Sequence, residues 1–310
     1  MAAAGLLMAG FAWAQGPLTP PGAPGETMKT LAQVEPRTSI TNLPFSITTG
    51  GSYYLAAALA GGESDNGIGI EADNVTLDLM GFPLQGGGAG SGDGIYVSGA
   101  HRGIVIRNGL VSGWGQCGVR TDEGSVCQVA DLVAVSNGSY GISIGEASQA
   151  ERCTADFNQG GIRAAGAQAL VRDCFTRRNL ANGIDADLGA FIERCTSYSN
   201  TVHGIACGAD CLIRANRCIG NGHDSGYGAA IAASGTSNHI ERNELVGNYR
   251  GLDVQPMPHY IVDNVVEQNL DNYSINMGAI VSTDSVRRLL ISELPVTVGH
   301  NCHLQVTRDL

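Results

Sequence analysis

Two aspartates one residue apart, Asp185 and Asp187, are the place in this chain where residue type and spacing first suggest chemistry. In an extended strand, residues i and i+2 face the same way, here about 7 Å apart. Inverting glycosidases leave roughly 6.5–9.5 Å between their acid and base, so the pair fits glycoside hydrolysis. A general acid of raised pKa beside an ionised base is what that reaction needs. No cofactor is called for, although the same two carboxylates, helped by backbone oxygens, are ligands that calcium accepts. His203 completes the candidate catalytic set. Arg163, able to grip a carboxylate or an acidic sugar, joins His223, Asp224 and Tyr227 as candidate substrate-binding residues. A plain structural reading competes with this one: Asn182-Gly183-Ile184-Asp185 as a turn, and Arg163–Asp185 as an ordinary ladder pair.

What would bring these residues together is a repeat. Asparagine recurs at Asn137, Asn158, Asn179, Asn200, Asn221, Asn248 and Asn269, in steps of 21, 21, 21, 21, 27 and 21 residues. Shortly after most of them comes a Gly-Ile or Gly-Leu pair, as at Gly141-Ile142, Gly161-Ile162, Gly183-Ile184, Gly204-Ile205 and Gly251-Leu252. A fixed period in the low twenties, built from short β-type units, predicts a parallel β-solenoid. If each unit is one coil, equivalent residues stack about 4.8 Å apart. One outward column then reads Ser143, Arg163, Asp185, Ala206, Ala232, Asp253, and Asp187 stands two positions on from Asp185. The six extra residues of the long unit fall around 222–228, and insertions in solenoids often make the binding face. Arg163, Asp185, Asp187, His203, His223 and Asp224 are thus expected to converge across about three coils, with a groove walled by the inserted turn favouring catalysis.

Other columns read as construction. Cys153, Cys174 and Cys195, followed by Asn216, Asn243 and Asn264, fall on one inward line. Two outward lines alternate in sign, Glu151, Arg172, Glu193, Arg214, Glu241 and Arg152, Asp173, Arg194, Ala215, Arg242, Asp263. Such alternation favours the in-register stack and penalises slippage, so these charges are a register device rather than catalytic groups.

The chain carries 44 glycines, six Phe and two Trp, and its net charge is −11 with Lys29 as the one lysine. No basic stripe exists, so nucleic acid is not an expected partner. The opening residues resemble a secretory signal ending Ala12-Trp13-Ala14, and no other stretch is long and apolar enough to span a bilayer. The expected layout is a signal peptide over 1–14, a Pro/Gly-rich leader and N-terminal cap over 15–45, a β-helix over 46–275 and a cap or tail over 276–310. Short helices are expected over 26–35 and 285–291. The glycines of 86–94 read as a mobile turn with nothing to pack. Nine cysteines leave at least one unpaired; Cys117–Cys127 and Cys207–Cys211 flank tight turns and are candidate disulfides. No spacing makes a zinc site, and the terminal run Gly299-His300-Asn301-Cys302-His303 is a weak metal signal.

The repeated Gly-Ile…Ile-x-x-Cys/Asn…Asn unit, preceded by Asn74-Val75-Thr76-Leu77-Asp78-Leu79-Met80-Gly81-Phe82, resembles the right-handed parallel β-helix proteins of the pectate-lyase-like superfamily. The resemblance covers roughly 67–269. It implies an all-β, right-handed parallel β-helix of about nine coils with capped ends, on a secreted (extracellular or periplasmic) protein. It also implies polysaccharide as the ligand class, with the chain binding and cleaving or modifying a glycan as a hydrolase or lyase. The alternative is a non-catalytic carbohydrate-binding or surface-structural solenoid. The catalytic signatures of polygalacturonase-like hydrolases and alginate epimerases are absent, and with no lysine in the coils a lysine-based lyase mechanism is excluded.

Overall fold

The computed structural model describes residues 35–255, 259–275 and 280–281. The expected signal segment, leader, C-terminal helix and Gly299–His303 run lie outside the described residues; of the expected 26–35 helix, only Glu35 is described, and it is irregular.

Each coil contributes up to three short strands, here called the opening, second and third faces. Gly160–Ala164, Leu170–Arg172 and Phe175–Arg177 make one coil. Ile184–Ala186, Phe191–Glu193 and Thr196–Tyr198 make the next. All pairings are parallel, and the regular coils stack in register, for example Ile162 with Ile184 and Val171 with Ile192; among the described residues the register shifts only between Gln85 and Gly88. Alternation sends one side of every strand inward, and Ile142, Ile162, Ile184, Ile205, Ile231 and Leu252 stack fully buried. Among the described residues there is no helix, and hence none long and apolar enough to cross a membrane.

Eleven strands stack on the opening face, from Phe45–Ile47 to Asp271–Ile275, two more than the nine coils expected. The early turns escaped the count because they keep no period. Opening-face partners run Phe45, Ile68, Ile95, Val119 and Ile142, in steps of 23, 27, 24 and 23 residues. The stack also starts before residue 46, since Thr38–Ile40 already pairs with Gly51–Leu55. The glycines at 86–88 are likewise not a loose turn. They finish the third-face strand Pro83–Gly88, and a Cβ on Gly87 would stand 2.4 Å from the Gly62 backbone. The neighbouring coil comes too close for a side chain, so glycine is a packing requirement there.

The bends explain the asparagines. Between the third and opening faces one residue per coil takes a left-handed φ: Phe157 (55°), Arg178 (51°), Ser199 (50°), Gly220 (65°), Gly247 (64°) and Gln268 (56°). Second-to-third bends do the same at Arg152, Asp173, Arg194, Ala215, Arg242 and Asp263. For an L-residue this conformation costs about 1–2 kcal/mol. From Asn137 on, the next residue at the third-to-opening bend is an inward asparagine, and its amide braces the bend. Asn179 Oδ1 accepts from the backbone N–H (2.9 Å) and Nδ2 (3.3 Å) of Asn158, while Asn179 Nδ2 donates to the Ala155 carbonyl (3.2 Å). The pattern repeats to Asn269, and at the other end Trp114 N–H donates to Asn137 Oδ1. Cys153, Cys174 and Cys195 line the second-to-third bend, and Cys195 N–H donates to Asn216 Oδ1, where a second amide ladder begins.

The alternating charges pair as their columns require. Arg152 forks onto Asp131 (2.7 and 2.9 Å) and Arg194 onto Asp173 (2.8 and 3.0 Å). Those guanidinium groups hold both carboxyls below their usual range. Arg214 grips Glu193 in the neighbouring column. The disulfide expectation is not met: the eight described cysteines, Cys117, Cys127, Cys207 and Cys211 included, are buried free thiols. Cys127 and Cys211 instead donate to the carbonyls of Ser125 and Asp187. Burial pushes the Cys117, Cys127 and Cys218 thiols up.

Asn179→Ala removes the acceptor of two donors and the donor to two acceptors, the Ala155 carbonyl and Asn200 Oδ1, all buried. We expect a loss of about 3 kcal/mol or more, read as a lower urea midpoint, against about 1 kcal/mol for Cys174→Ala in the neighbouring bend.

Candidate functional site

The opening face carries the predicted column in register: Ser143, Arg163, Asp185, Ala206, Ala232 and Asp253. Asp185 is half-buried on the strand Ile184–Ala186. Its carboxylate takes a partner that sequence reasoning missed: Tyr140, two coils earlier, donates its hydroxyl to Asp185 Oδ2 at 2.7 Å. The ring reaches that far because the position between is Gly160, paired with Tyr140 in register. A Cβ on Gly160 would lie 2.5 Å from Tyr140 Cε1. Burial first, and then the Asp185 carboxylate, push the Tyr140 phenol well above its usual range, so it is a fixed donor at neutral pH.

Arg163 stands opposite Asp185 in the backbone register, yet its guanidinium serves other groups. It lies 5.7 Å from the Tyr140 ring centroid and 3.9 Å from Asp187 Oδ2. Asp187 sits just past the strand end with its side chain 53% exposed, while Arg163 is 42% exposed. The two aspartates are therefore held by different partners. An open carboxylate beside a guanidinium is not the apolar setting that a general acid needs. Among the described residues no group of three or more His, Cys, Asp or Glu is placed to hold a metal ion.

His203, one coil after Asp185, is pinned from both sides. Its backbone N–H donates to Asn182 Oδ1 (3.2 Å), and its Nδ1 receives the Ala229 N–H (3.0 Å). A backbone amide can only donate, so Nδ1 is the acceptor and the neutral ring carries its proton on Nε2. Burial holds the imidazole below its usual pKa, against the opposing pull of Asp253 and Asp185. His203 is thereby a hydrogen-bond donor whose one lone pair is already occupied.

The inserted turn, whose end at Ala229 meets His203, is held by contacts of its own. His223 Nε2 donates to the Gly247 carbonyl (2.9 Å), and the ring meets Tyr249 edge-on at 6.5 Å. Asp224 and Tyr227 are exposed. Among the described residues, no hydrogen bond or ion pair joins these three to Arg163, Asp185, Asp187 or His203. Two shallow concavities are found on the other faces. One of about 600 Å³ on the second face involves Gln149, Leu170, Phe191 and Glu193. The other, of about 340 Å³, lies on the third face around Thr196. Neither includes Asp185, Asp187, His203 or the 222–228 turn. The cluster of Tyr140, Arg163, Asp185, Asp187 and His203 lies on an open sheet face, offering donors, acceptors and one aromatic ring.

Two predictions follow from these contacts. Gly160→Ala should drive the Tyr140 ring off Asp185, and the phenol pKa, read by its ultraviolet titration, should fall toward 10. Because the folded pKa of His203 is depressed, its contribution to stability is present above about pH 6.5 and is lost as pH falls through the folded value. His203→Gln, whose amide oxygen can still accept the Ala229 N–H, should reduce the fall in unfolding free energy between about pH 6.5 and 5; His259, also depressed by burial, supplies a remaining slope.

Comparison with known proteins agrees with this architecture. No curated protein sequence matches the chain. Among solved structures, the A-module of mannuronan C-5 epimerase AlgE4 from Azotobacter vinelandii aligns over 79% of this chain and 80% of its own, with 13% identity and a TM-score of 0.58. The AlgE6 A-module of the same organism gives 79%, 78%, 12% and 0.53. The Dettilon tailspike protein gp208 aligns over 79% of this chain and 61% of its own, at 12% identity and a TM-score of 0.50. At such identities the likeness is one of fold. The model of the right-handed β-helix region matches residues 93–269, more than half of the 310, and the chain belongs to that family.

Proposed function

We propose that this is a secreted, non-catalytic carbohydrate-binding solenoid that holds a polysaccharide along its opening face. The observation that carries the reading is the Tyr140–Asp185 hydrogen bond across Gly160, with Arg163 and His203 on the same face. It fixes a carboxylate acceptor beside a guanidinium and an aromatic ring in a rigid ladder. Sugars present hydroxyls that both donate and accept, and their C–H faces stack on rings. Preorganised side chains bind such ligands with little ordering cost. The fold likeness to modules named for mannuronan is consistent with this ligand class.

Two features weigh against catalysis at this face. His203 has no free lone pair to act as a base, and Asp187 lies open to water while the half-buried Asp185 is already bonded to Tyr140. Arg163 and Asp185 are the sugar contacts in this reading.

The test is calorimetric titration with neutral and acidic polysaccharides, with and without calcium, beside a product assay on the same mixtures. Binding without product, weakened about tenfold or more in a folded Asp185→Asn/Asp187→Asn variant, is the expected result. Product that disappears in the variant would replace this reading with an enzyme.

A further inference from the structure

The third face holds a second feature that the opening-face cluster does not explain. Arg177 and Arg178 both converge on one buried carboxylate, Asp156, which is 6% exposed. Register pairing accounts for Arg177, which stands opposite Asp156 in the ladder and donates through Nε at 2.9 Å. It does not account for Arg178. That residue occupies the left-handed bend at φ 51°, where the other coils carry Ser, Gly, Gln or Phe. It donates through Nε (3.0 Å) and Nη2 to a carboxylate whose charge Arg177 already balances. The result is a fixed excess of one positive charge in a chain whose net charge is −11. Both arginines spend their Nε and Nη2 edges on Asp156; among the described residues neither Nη1 has a partner.

The fork borders the shallow concavity of about 340 Å³ over Thr196. Phe175 and Arg217 flank Thr196 one coil to either side, and Tyr198, 44% exposed, supplies an aromatic wall. Arg217 is paired with Glu244 at 3.2 Å, but both side chains are about half exposed, and a pair of that kind is worth at most about 1 kcal/mol. Its guanidinium is free to turn to an incoming anion. The Arg177 and Arg178 guanidinium groups are fixed by Asp156 and by the rings beneath them, Phe175 at 5.3 Å and Phe157 at 4.1 Å. At physiological salt the distant negative charges of the chain are screened beyond about 8 Å, so the local excess decides what approaches. Charge-assisted bonds from preset arginines favour a carboxylate or sulfate, and the exposed ring favours a sugar face.

We propose that the Arg177–Arg178–Arg217 depression is a binding site for an anionic sugar, one pyranose ring bearing a carboxylate or sulfate group. The site stands apart from the opening face, and neither depends on the other.

Calorimetric titration of the full chain with glucuronic acid oligomers, sulfated galactose oligomers and neutral glucose oligomers tests it. Arg178→Gln leaves Arg177 on Asp156, and Arg217→Gln breaks only an exposed pair, so both variants should stay folded, the first with a lowered melting temperature and the second with the wild-type one. An anionic oligomer should bind more tightly than the neutral ones, less so as salt rises, and each variant should weaken it by about tenfold. The carboxylated and sulfated arms show which group is preferred. Equal binding of neutral oligomers, or binding unchanged in both variants, overturns the proposal. So does weakening in Asp185→Asn with none in Arg178→Gln, which would put the anion on the opening face.

Discussion

A left-handed bend that must turn the chain sharply and still leave no buried amide unpaired is the constraint on which this structure rests. The solution from Asn137 on is one asparagine behind each third-to-opening bend, whose oxygen receives two donors from the coil before and whose nitrogen caps a carbonyl. Only a short side chain with an acceptor and two donors can do this in a fully buried place. The cost of a left-handed φ at Phe157, Arg178 or Ser199 is thus offset by the inward neighbour rather than by the residue itself. Since each amide is bonded to the next, the coils cannot slide independently. Charged forks such as Arg194 on Asp173 reinforce the same register from outside.

Register, in turn, makes surface chemistry possible on a fold with few loops. Stacking sets Tyr140, Gly160, Arg163 and Asp185 side by side although 45 residues separate the tyrosine from the aspartate it bonds. A slip of one residue would turn the Asp185 column into the core. The same register brings Asp156 under Arg177 on the third face and leaves the adjacent bend to supply Arg178. Rigid ladders hold such groups with little freedom to lose, which suits recognition of a ligand longer than one coil.

The regular half of the molecule was legible because its signal is a period. The 21-residue spacing of Asn137 to Asn221, the inward cysteines and the alternating charges all map onto the structure as they stand in the sequence. The early turns were not legible, since Ile68, Ile95 and Val119 follow one another at unequal steps. Gly86 and Gly87 looked like slack chain because a close backbone approach leaves no trace except the missing side chain. The thiols of Cys117 and Cys211 looked pairable because local spacing says nothing about where an inward side chain points. Of the site, the Arg163–Asp185 column was readable and the actual partners were not. Tyr140 reaches its aspartate past a glycine two coils into the stack, a relation that no single column shows. The protonation of His203 depends on the Ala229 amide, which the six-residue insertion displaces from the regular period.

The most direct test of the central claim, that this ladder exists to present its opening face to a sugar chain, is a crystal structure of the protein with a bound oligosaccharide. The account predicts sugar hydroxyls within about 2.7–3.2 Å of Asp185 and Arg163, with Tyr140 still on Asp185. An oligosaccharide that is ordered elsewhere on the solenoid, with the opening face bare, would contradict it.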